Sequence, residues 1–297
     1  MEKVLVLMAT YNGEKYLQEQ LDSIYRQKNV MVDVLVRDDG SSDLTQEILE
    51  MNSKTKNLTW YSGEHKNVQK GFFELMRKAA MLDYEYYAFC DQDDVWFDDK
   101  LSVAISRIPK TNIPTLYYSG QQLVDENLNY IEDHKLNSRR NLKTRFILSD
   151  FAGCTGVFNK ALISQVVVFE PKYMMMHDTW VLRVCLAIGG NVIVDPEARM
   201  KYRQHSGNTL GLGHSFSATL KHVKQYICEY QVERVTRELV RGYDKKIVAE
   251  YREICDWICG YKNNKNYRKK LLDKSNVDFF NRGLNFTYWI KVRMNKL

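Results

Sequence analysis

An acidic cluster follows an apolar run in the first half of this 297-residue chain. Residues 89–99 read FCDQDDVWFDD, so Asp91, Asp93 and Asp94 stand within four positions directly after the run Tyr86–Cys90. Like charges this close repel one another, and a bound cation would offset the repulsion. Mg²⁺ and Mn²⁺ prefer carboxylate oxygen and are typically held by one or two carboxylates together with substrate phosphates. The cluster therefore predicts a divalent-cation site. The alternative is a solvated acidic turn before a helix.

Two further motifs, TYNG and RDDGS, have side chains that could hold a nucleotide. Tyr11 offers a stacking face, and Gly13 would let the backbone approach a ligand. Asp38 or Asp39 could accept hydrogen bonds from a nucleobase or a ribose, although Asp-Gly is also a routine turn. The first predicted strand is not followed by GxGxxG, and the chain has no GxxxxGK[ST] motif. A dinucleotide-binding oxidoreductase and a P-loop ATPase are therefore disfavoured.

Two motifs in the second half of the chain, HDTW and YRQH, contain candidate catalytic groups. Met and Trp neighbours would desolvate Asp178 and raise its pKa, which suits a general base at the mouth of an apolar pocket. The alternative is that Asp178 only caps a helix. His205 is a candidate metal ligand if it lies beside the carboxylates, although a lone histidine is more often structural.

The elements that position these motifs are predicted from hydrophobic patterning. Continuous apolar runs predict buried strands that alternate with amphipathic helices, which is typical of an α/β protein with a mostly parallel sheet between helices. Up to residue 110 the predicted strands are Val4–Ala9, Val32–Val36, Leu58–Tyr61 and Tyr86–Cys90. Because ligands bind at the carboxyl ends of parallel strands, TYNG, RDDGS and DQDD should share one rim of the sheet. Ser41 or Ser42 is expected to cap the second helix.

The C-terminal third differs from the rest in charge. Residues 201–297 hold 20 Lys and Arg against 9 Asp and Glu, a net charge of +11, which leaves −5 for residues 1–200. From about residue 217 the pattern predicts helices with aromatic and basic residues interleaved, after a flexible joint at 210–216. One interpretation is helices that pack on the catalytic domain with a solvated basic face. The other is a segment that lies on an anionic membrane.

Composition limits the class of protein further. The six cysteines form no CxxC pair, which indicates reduced thiols in a reducing compartment. A signal-peptide layout and an 18-residue apolar stretch are both missing, so a cytoplasmic protein without membrane spans is predicted. A nucleic-acid-binding protein would leave the acidic rim without purpose, because acidic side chains repel phosphate.

Five motifs, ATYNG, RDDGS, DQDDVW, HDTW and YRQH, together resemble family 2 glycosyltransferases of the GT-A fold, in order and in spacing. The resemblance covers about residues 1–210. Within that family, CDQDDVW, HDTW and YRQH most resemble rhamnosyltransferases that build bacterial surface polysaccharides. It implies a Rossmann-like catalytic domain at 1–212, with a nucleotide-binding half at 1–110 and an acceptor-binding half at 111–212. A basic helical region follows at 213–297.

The resemblance also implies roles for individual residues. Asp93 corresponds to the direct metal ligand, Asp178 to the catalytic base, and His205 to a residue that reaches metal or diphosphate. His177 and Trp180 would lie on the acceptor side, where HDTW departs from the family's commoner Glu-Asp pair. The positions implied to bind the nucleotide sugar are Thr10, Tyr11, Asn12, Asp38, Asp39, Asp91, Gly153 and Cys154.

The implied function is inverting, Mn²⁺- or Mg²⁺-dependent transfer of a hexosyl group from a nucleoside diphosphate sugar to a saccharide or lipid-linked saccharide. The motifs favour L-rhamnose from dTDP-rhamnose. A UDP-sugar-dependent galactosyl, glucosyl or N-acetylhexosaminyl transferase is the alternative. The enzyme is expected in the cytoplasm, with the C-terminal helices able to place it on the inner face of the membrane. The prediction leaves a homodimer open.

Overall fold

The computed structural model describes residues 1–65, 67–205 and 230–297. The predicted joint at 210–216, the domain boundary at 212/213 and Cys228 lie outside these ranges. The described strands are β1 (Glu2–Thr10), β2 (Val30–Asp38), β3 (Leu58–Ser62), β4 (Tyr86–Cys90), β5 (Val95–Trp96), β6 (Thr115–Val124), β7 (Tyr130–His134), β8 (Val157–Asn159) and β9 (Asn191–Arg203).

Helices separate most of these strands and make up the C-terminal region. Those of the first 205 residues are α1 (Leu17–Tyr25), α2 (Thr45–Ser53), α3 (Val68–Ala79), α4 (Lys100–Arg107), α5 (Leu142–Ile147), α6 (Lys160–Val166) and α7 (His177–Ala187). The described C-terminal helices are α8 (Val232–Tyr243), α9 (Ala249–Gly260), α10 (Lys265–Leu272) and α11 (Arg282–Arg293). Short 3₁₀ turns occur at Gly153–Thr155 and Asp244–Lys246. In the described ranges, no helix has both the length and the apolar composition that crossing a membrane requires.

The strands form one sheet in the order β3-β2-β1-β4-β8-β6-β9-β5, with β7 paired to β6. The four strands β1 to β4 are parallel, as the strand–helix alternation predicts. The sheet as a whole is mixed rather than mostly parallel, because β8 runs antiparallel to both β4 and β6, and β5 runs antiparallel to β9. β7 is also antiparallel, since a short turn returns the chain directly from β6.

Alternation along β1 shows why the apolar run forms a strand at the centre of the sheet. Val4, Val6 and Met8 point into one core, and Leu5 and Leu7 point into the other, on the opposite face. Successive side chains of a strand face opposite sides, so a strand that is covered on both faces must be apolar throughout. β1 therefore lies between two helical layers and delivers its last residue to the polar rim.

Asparagine side chains begin several of the helices by accepting a backbone N–H of the first turn. They are Asn67, Asn141, Asn159, Asn264 and Asn281, which precede α3, α5, α6, α10 and α11 respectively. The prediction that Ser41 or Ser42 caps the second helix is wrong, because α2 begins only at Thr45. Both serines instead hold the loops of the rim together.

The C-terminal helices pack against the catalytic domain. Trp180 on α7, Tyr243 on α8 and Trp257 on α9 belong to the same buried cluster as Leu5 and Leu7 of β1. The shared core confirms the interpretation in which these helices pack on the catalytic domain. The outer face of the last helix, which carries Phe286 and Trp289, stays exposed.

Candidate active site

Three of the sequence motifs meet at one edge of the sheet. In the parallel register, Thr10 at the end of β1 lies opposite Asp38 at the end of β2, and Met8 lies opposite Cys90 at the end of β4. TYNG, RDDGS and DQDD therefore leave the sheet side by side. The prediction of a common rim, which rested on parallel pairing alone, is confirmed.

Asp38 is saturated by protein donors. Its Oδ1 accepts from the Thr10 and Ser41 hydroxyls, and its Oδ2 accepts from the backbone N–H groups of Gly40 and Ser41 and from Gln46 Nε2 at 2.9–3.2 Å. The Asp38 side chain has no exposed surface. Asp38 and Thr10 therefore shape the loop and do not offer a free acceptor to a nucleobase, contrary to the direct contact that was expected.

Asp39 lies nearer the surface, and its charge is already paired. It forms an ion pair with Arg37, whose side chain is fully buried and also donates to the Glu64 carbonyl oxygen at 2.8 Å and to Glu74 at 3.3 Å. The pair needs a glycine beside it, because a Cβ on Gly63 would lie 2.6 Å from Arg37 Nη2. A base bound at Asp39 would thus meet a neutralised, rigidly held carboxylate.

Gln92, inside the acidic cluster, fixes the TYNG loop. Its side-chain amide accepts from the Tyr11 N–H at 2.9 Å and donates to the Tyr11 carbonyl oxygen at 3.1 Å. A Cβ on Gly13 would lie 2.5 Å from Gln92 Oε1, so this glycine makes room for Gln92 rather than for a ligand. Asn12, at φ +48°, donates its N–H to Ser41 and accepts from the Ser42 N–H.

Tyr11 is the residue of this rim that offers an open stacking surface. Its side chain is 47% exposed, and its ring lies 4.5 Å from the ring of His65, centroid to centroid. The exposed ring fits the expectation that Tyr11 stacks on a nucleobase. His65 was not among the residues singled out from the sequence, because nothing in its neighbourhood along the chain marks it.

The acidic loop, residues 91–94, brings several potential ligand atoms together. One oxygen each of Asp91 and Asp94 and the Cys154 sulfur all lie within 4.8 Å of one another. Asp94 has no exposed surface; its Oδ1 accepts from the Arg203 N–H at 3.2 Å, whereas its Oδ2 has no hydrogen-bond partner among the described residues. A buried carboxylate oxygen without a partner is unfavourable unless a ligand satisfies it.

The pKa values of Asp91 and Asp94 are both raised, because burial and neighbouring negative charges outweigh the little positive charge near these two carboxylates. Burial, followed by the charges of Asp93 and Asp178, raises the pKa of Asp91 to about 7. Burial and the charges of Asp93 and Asp91 raise the pKa of Asp94 well above its usual value. Each shift favours the neutral acid over the carboxylate. A cation bound here would reverse both effects.

Asp93 and His205 lie side by side, which is the condition under which His205 is a candidate metal ligand. The His205 Nε2 atom lies 2.8 Å from Asp93 Oδ2, although 112 positions separate the two residues in the chain. Their side chains are largely but not fully buried, at 17% and 14% exposure, so both can reach a ligand at the rim. The YRQH motif is thus joined to the acidic loop by a direct contact.

Arg203, two residues before His205, holds this arrangement in place. Its guanidinium donates to the Asp93 carbonyl oxygen at 2.8 Å, to the Glu126 carbonyl oxygen at 2.6 Å, and to the Glu19 carboxylate. It therefore ties the end of β9 to the acidic loop. Sequence reasoning missed this role, and the only available signal is the arginine's place inside YRQH.

Lys100 places a positive charge beneath the acidic loop. The side chain is fully buried, donates to the Cys154 carbonyl oxygen, and lies 3.5 Å from the centroid of the Trp96 ring. Burial lowers the pKa of Lys100 to about 8. It is attracted by Asp91 and Asp94 and partly offsets their charge. Sequence reasoning missed Lys100 because a lysine after two aspartates reads as an exposed helix start.

Asp178 is held next to the loop that contains Gly153. Its Oδ2 accepts from the Gly153 N–H at 3.0 Å, and its Oδ1 accepts from its neighbour's N–H at the start of α7. Met176 occupies the N-cap position, so Asp178 is not the cap of α7. Burial raises the pKa of Asp178 to about 6, as expected for a base in an apolar environment.

His177 and Trp180 both point into the core. The His177 ring stacks on Phe72 at 3.9 Å and meets Phe89 edge-on, and burial lowers its pKa to about 3. A Cβ on Gly153 would lie 2.7 Å from His177 Nε2, so His177 packs directly under the Gly153 turn. Trp180 has no exposed surface and packs against Tyr243 of α8.

The expectation that His177 and Trp180 contact an acceptor is not met. Helical geometry turns residues 177 and 180 toward the same side, and here that side is the core. His177 can influence the site only through the Gly153 turn above it. Trp180 lies among helices of the C-terminal region.

The residues present fit a hard divalent cation. The acidic loop supplies three carboxylates, His205 approaches one of them, and the free oxygen of Asp94 awaits a partner. Carboxylate ligands suit Mg²⁺ and Mn²⁺. Cys154 does not suit these ions, because burial raises the pKa of its thiol well above the usual value and leaves it neutral. The Cys154 carbonyl oxygen accepts from Lys100 Nζ, and its sulfur accepts from Gln121 Nε2 at 3.4 Å.

The chain belongs to glycosyl transferase family 2, whose model matches residues 5–167. This stretch contains the TYNG, RDDGS and DQDD motifs and ends before α7. The protein is therefore a glycosyltransferase, and the family resemblance predicted from the motifs is confirmed.

Two curated proteins that the chain resembles are named as sugar transferases. It is 29% identical over 232 residues to the dTDP-rhamnosyl transferase RfbG of Shigella flexneri, covering 72% of this chain and 77% of that protein. It is 32% identical over 126 residues to the UDP-Glc:alpha-D-GlcNAc-diphosphoundecaprenol beta-1,3-glucosyltransferase WfgD of Escherichia coli. That match spans 42% of this chain and about half, 47%, of WfgD.

Among solved structures, S. aureus TarS 1–349 in complex with UDP-GlcNAc superimposes with a TM-score of 0.61 at 17% identity. The match covers 98% of this chain and 79% of the TarS chain. At that identity the likeness shows a common fold alone. The GT-A-like architecture expected from the sequence, including helices after the catalytic domain, is thereby confirmed.

Proposed function

We propose that the protein transfers an L-rhamnosyl group from dTDP-rhamnose, with inversion, to a hydroxyl group of a saccharide or lipid-linked saccharide. The observation that supports the proposal most directly is that Asp178, the candidate base, lies close to the acidic loop, the candidate cation site. Asp178 accepts from the Gly153 N–H, and the sulfur of the next residue, Cys154, lies within 4.8 Å of carboxylate oxygens of Asp91 and Asp94 in the acidic loop. A base therefore lies beside a site suited to a diphosphate and its cation. The choice of donor follows the resemblance to RfbG.

The donor would bind along the rim from Tyr11 to the acidic loop. Tyr11 would stack on the base, and the Arg37-paired Asp39 would accept from it. Asp91 would contact the ribose or the sugar. Gly153 and Cys154 would line the sugar pocket between the acidic loop and Asp178, as their contacts with Asp178 and Lys100 suggest.

The divalent cation would be held by Asp93, with His205 and the free oxygen of Asp94 as further candidates. When bound, it would neutralise the negative charge that develops on the departing diphosphate. Lys100 and Arg203 would keep the acidic loop in the same position with and without substrate. Preorganised charge of this kind is usually the largest contribution to such a reaction.

Asp178 would act as the general base. Its carboxylate takes the proton from the acceptor hydroxyl, the acceptor oxygen bonds to the anomeric carbon, and the bond from that carbon to the diphosphate oxygen breaks. The electron pair leaves with the nucleoside diphosphate, and attack from the opposite face inverts the anomeric centre. With a pKa of about 6, Asp178 is deprotonated at neutral pH yet basic enough to accept a proton.

A donor panel tests the proposal. The purified protein is incubated with Mn²⁺, a synthetic GlcNAc-diphosphoryl lipid acceptor, and either dTDP-L-rhamnose, UDP-glucose, UDP-galactose or UDP-GlcNAc, and product is measured by mass spectrometry. Rhamnosyl product of inverted configuration is expected. Product from a UDP-sugar alone would support the alternative, a UDP-sugar transferase, which the resemblance to WfgD favours. Retention of configuration would contradict the role of Asp178.

The acceptor and the location complete the proposal. A lipid-linked acceptor, such as the GlcNAc-diphosphoundecaprenol of WfgD, would place the reaction at the cytoplasmic face of a bacterial membrane, in surface-polysaccharide synthesis. The protein would then work as a peripheral membrane enzyme. The basic C-terminal helices provide the surface for that contact.

A further inference from the structure

Helices α10 and α11 present an outer face that the catalytic reaction does not use. On α11, Phe286 is 63% exposed and Trp289 is 45% exposed, and their rings lie nearly parallel with centroids 6.5 Å apart. The opposite side of α11 is buried, through Tyr288 and Val292. The two aromatic side chains are therefore not part of the hydrophobic core. They project from a helix whose core side is already filled.

A cationic cleft adjoins this aromatic pair. It has a volume of 370 Å³ and lies between α10 and the end of α11. Its charged lining consists of Lys265, Arg268, Lys269, Asp273 and Arg293. The one carboxylate in it, that of Asp273, already accepts from the Ser275 N–H and hydroxyl. The cleft is therefore positive, and its charge suits an anion.

Arg293 joins the cleft to the aromatic pair. Its guanidinium lies 5.1 Å from the centroid of the Trp289 ring, while it also lines the cleft. We name Phe286, Trp289, Lys265, Lys269 and Arg293 the amphipathic face. In the part of the chain that the structure describes, none of its three cations forms an ion pair with an acidic side chain. Residues 261–297 contain ten Lys and Arg against two Asp, a net charge of +8.

We propose that the amphipathic face binds an anionic phospholipid bilayer, with a lipid phosphate in the cationic cleft and the aromatic edges among the acyl chains. Aromatic rings and cations in this combination suit the boundary between headgroups and acyl chains. The charge complementarity between the face and an anionic surface selects this occupant. The proposal names the partner surface for the lipid-linked acceptor, and it rests on the proposed function only for that purpose.

The arrangement of the rings favours a bilayer over a single-stranded nucleic acid. Base stacking needs a free aromatic face. Phe286 lies one helical turn before Trp289, and Arg293 lies one turn after it, so the indole is flanked from both directions along α11. A nucleobase would therefore have to compete with Phe286 and Arg293 for the indole ring, whereas an interfacial bilayer site needs no free aromatic face.

Vesicle co-sedimentation of the full chain tests the proposal, without donor or acceptor. The vesicles contain equal parts phosphatidylglycerol and phosphatidylcholine, or phosphatidylcholine alone. We expect binding to the anionic vesicles, and binding at least about tenfold weaker for Phe286→Ala/Trp289→Ala and for Lys265→Gln/Lys269→Gln/Arg293→Gln, because each cation near an anionic surface adds to the affinity. Tryptophan fluorescence of the wild-type chain should shift to shorter wavelength with anionic vesicles, and this shift should be lost in the Phe286→Ala/Trp289→Ala variant.

Matched variants control for general charge and hydrophobicity. Met81→Ala removes another exposed apolar side chain, and Lys56→Gln/Lys172→Gln/Lys245→Gln removes three exposed cations elsewhere. Both should bind as the wild type does, and thermal unfolding checks that every variant is folded. Failure of the wild-type chain to bind anionic vesicles overturns the proposal, and so does equal binding by the amphipathic-face variants. Tight binding to single-stranded RNA in place of vesicles would assign the face to nucleic acid.

The two proposals can fail separately. Vesicle binding needs no catalytic chemistry, so a loss of rhamnosyl specificity in the donor panel leaves it unaffected. Conversely, if the chain ignores vesicles, transfer to a water-soluble acceptor is still measurable.

Discussion

Two acidic pairs stand at the same rim of the sheet and differ in how the protein satisfies them. Asp38 accepts hydrogen bonds from five donors, and Asp39 is paired with the buried Arg37. In the acidic loop, Asp94 keeps a buried oxygen without a partner among the described residues, and the pKa of Asp91 is raised to about 7. All four residues are aspartates, but only Asp38 and Asp39 have their charge satisfied by hydrogen bonds and an ion pair from the protein itself.

The difference separates a structural site from a binding site. Carboxylates that are fully hydrogen-bonded stabilise the loop that carries them. Carboxylates that lie close together without enough hydrogen-bond donors repel one another, and a bound cation offsets this repulsion. Asp178 belongs with the second group, because burial raises its pKa and a single backbone N–H from another loop holds it. Substitutions in the two groups should therefore have opposite effects on activity and on stability.

The largest effect is expected from Asp178→Asn. Loss of a general base typically lowers kcat by a factor of about 10²–10⁴, and the shape of the asparagine preserves the contact with Gly153. Donor binding should change little. Single-turnover transfer and donor titration measure the two quantities separately. A variant that keeps more than about a tenth of wild-type kcat, a loss under about 1.4 kcal/mol, would remove Asp178 from the role of base.

Asp93→Asn should weaken Mn²⁺-dependent donor binding by about 10- to 100-fold, since it removes a charged ligand and the partner of His205. Isothermal titration with Mn²⁺ and dTDP measures the change. Asp38→Asn serves as the matched variant, because it alters the other acidic pair at the same rim. Equal losses of metal-dependent binding in both variants would contradict the claim that the acidic loop binds the cation while Asp38 and Asp39 are structural.

The pH dependence of transfer should follow Asp178. The base must be deprotonated, so kcat with saturating donor and Mn²⁺ is expected to be constant above about pH 7 and to fall toward acid pH. With a pKa of about 6, kcat at pH 5 should be about tenfold below the plateau. Stopped assays between pH 4.5 and 8 give the profile. A flat profile across pH 5–7 would show that no group of this kind limits the reaction.

The smallest effect on chemistry and the clearest effect on stability are expected from Asp38→Asn. Its amide group would face donors that now meet a carboxylate, which should lower the free energy of unfolding by about 2 kcal/mol. Urea denaturation measures the change. Asp83→Asn, at an exposed pair with Lys160, is the control and should unfold like the wild type. Unchanged stability of Asp38→Asn would mean that the first acidic pair is not structural.

Much of the fold and part of the site follow from sequence patterns. The strand at Tyr86–Cys90 matches its prediction residue for residue, because a fully apolar run between polar breaks admits few other structures. The common rim follows from parallel pairing, and the approach of His205 to Asp93 follows from the family resemblance. Periodicity did not predict that β5, β7 and β8 run antiparallel to their partners, because an apolar pattern does not carry the direction of a strand.

The partners of the site residues could not be predicted, because tertiary contacts decide them. Lys100 is buried under the acidic loop, and Arg203 donates a hydrogen bond to that loop. The residues next to them in the sequence predict neither contact. Gln92 sits among aspartates and acts on Tyr11, which is 81 positions away. Trp180 was expected at an acceptor because it lies two positions from Asp178, but the two side chains leave α7 in different directions. Residues two apart in a helix do not face the same side.

Thermal unfolding with Mn²⁺ and dTDP tests the central claim, that the acidic loop is completed by a cation together with a diphosphate. Mn²⁺ and dTDP together should raise the Tm by several degrees, as expected for a ligand at about 100 times its Kd. Either one alone should have little effect, and Asp93→Asn should abolish the joint effect. Equal stabilisation by dTDP in the presence of a chelator, or by the Asp93→Asn variant, would contradict the claim.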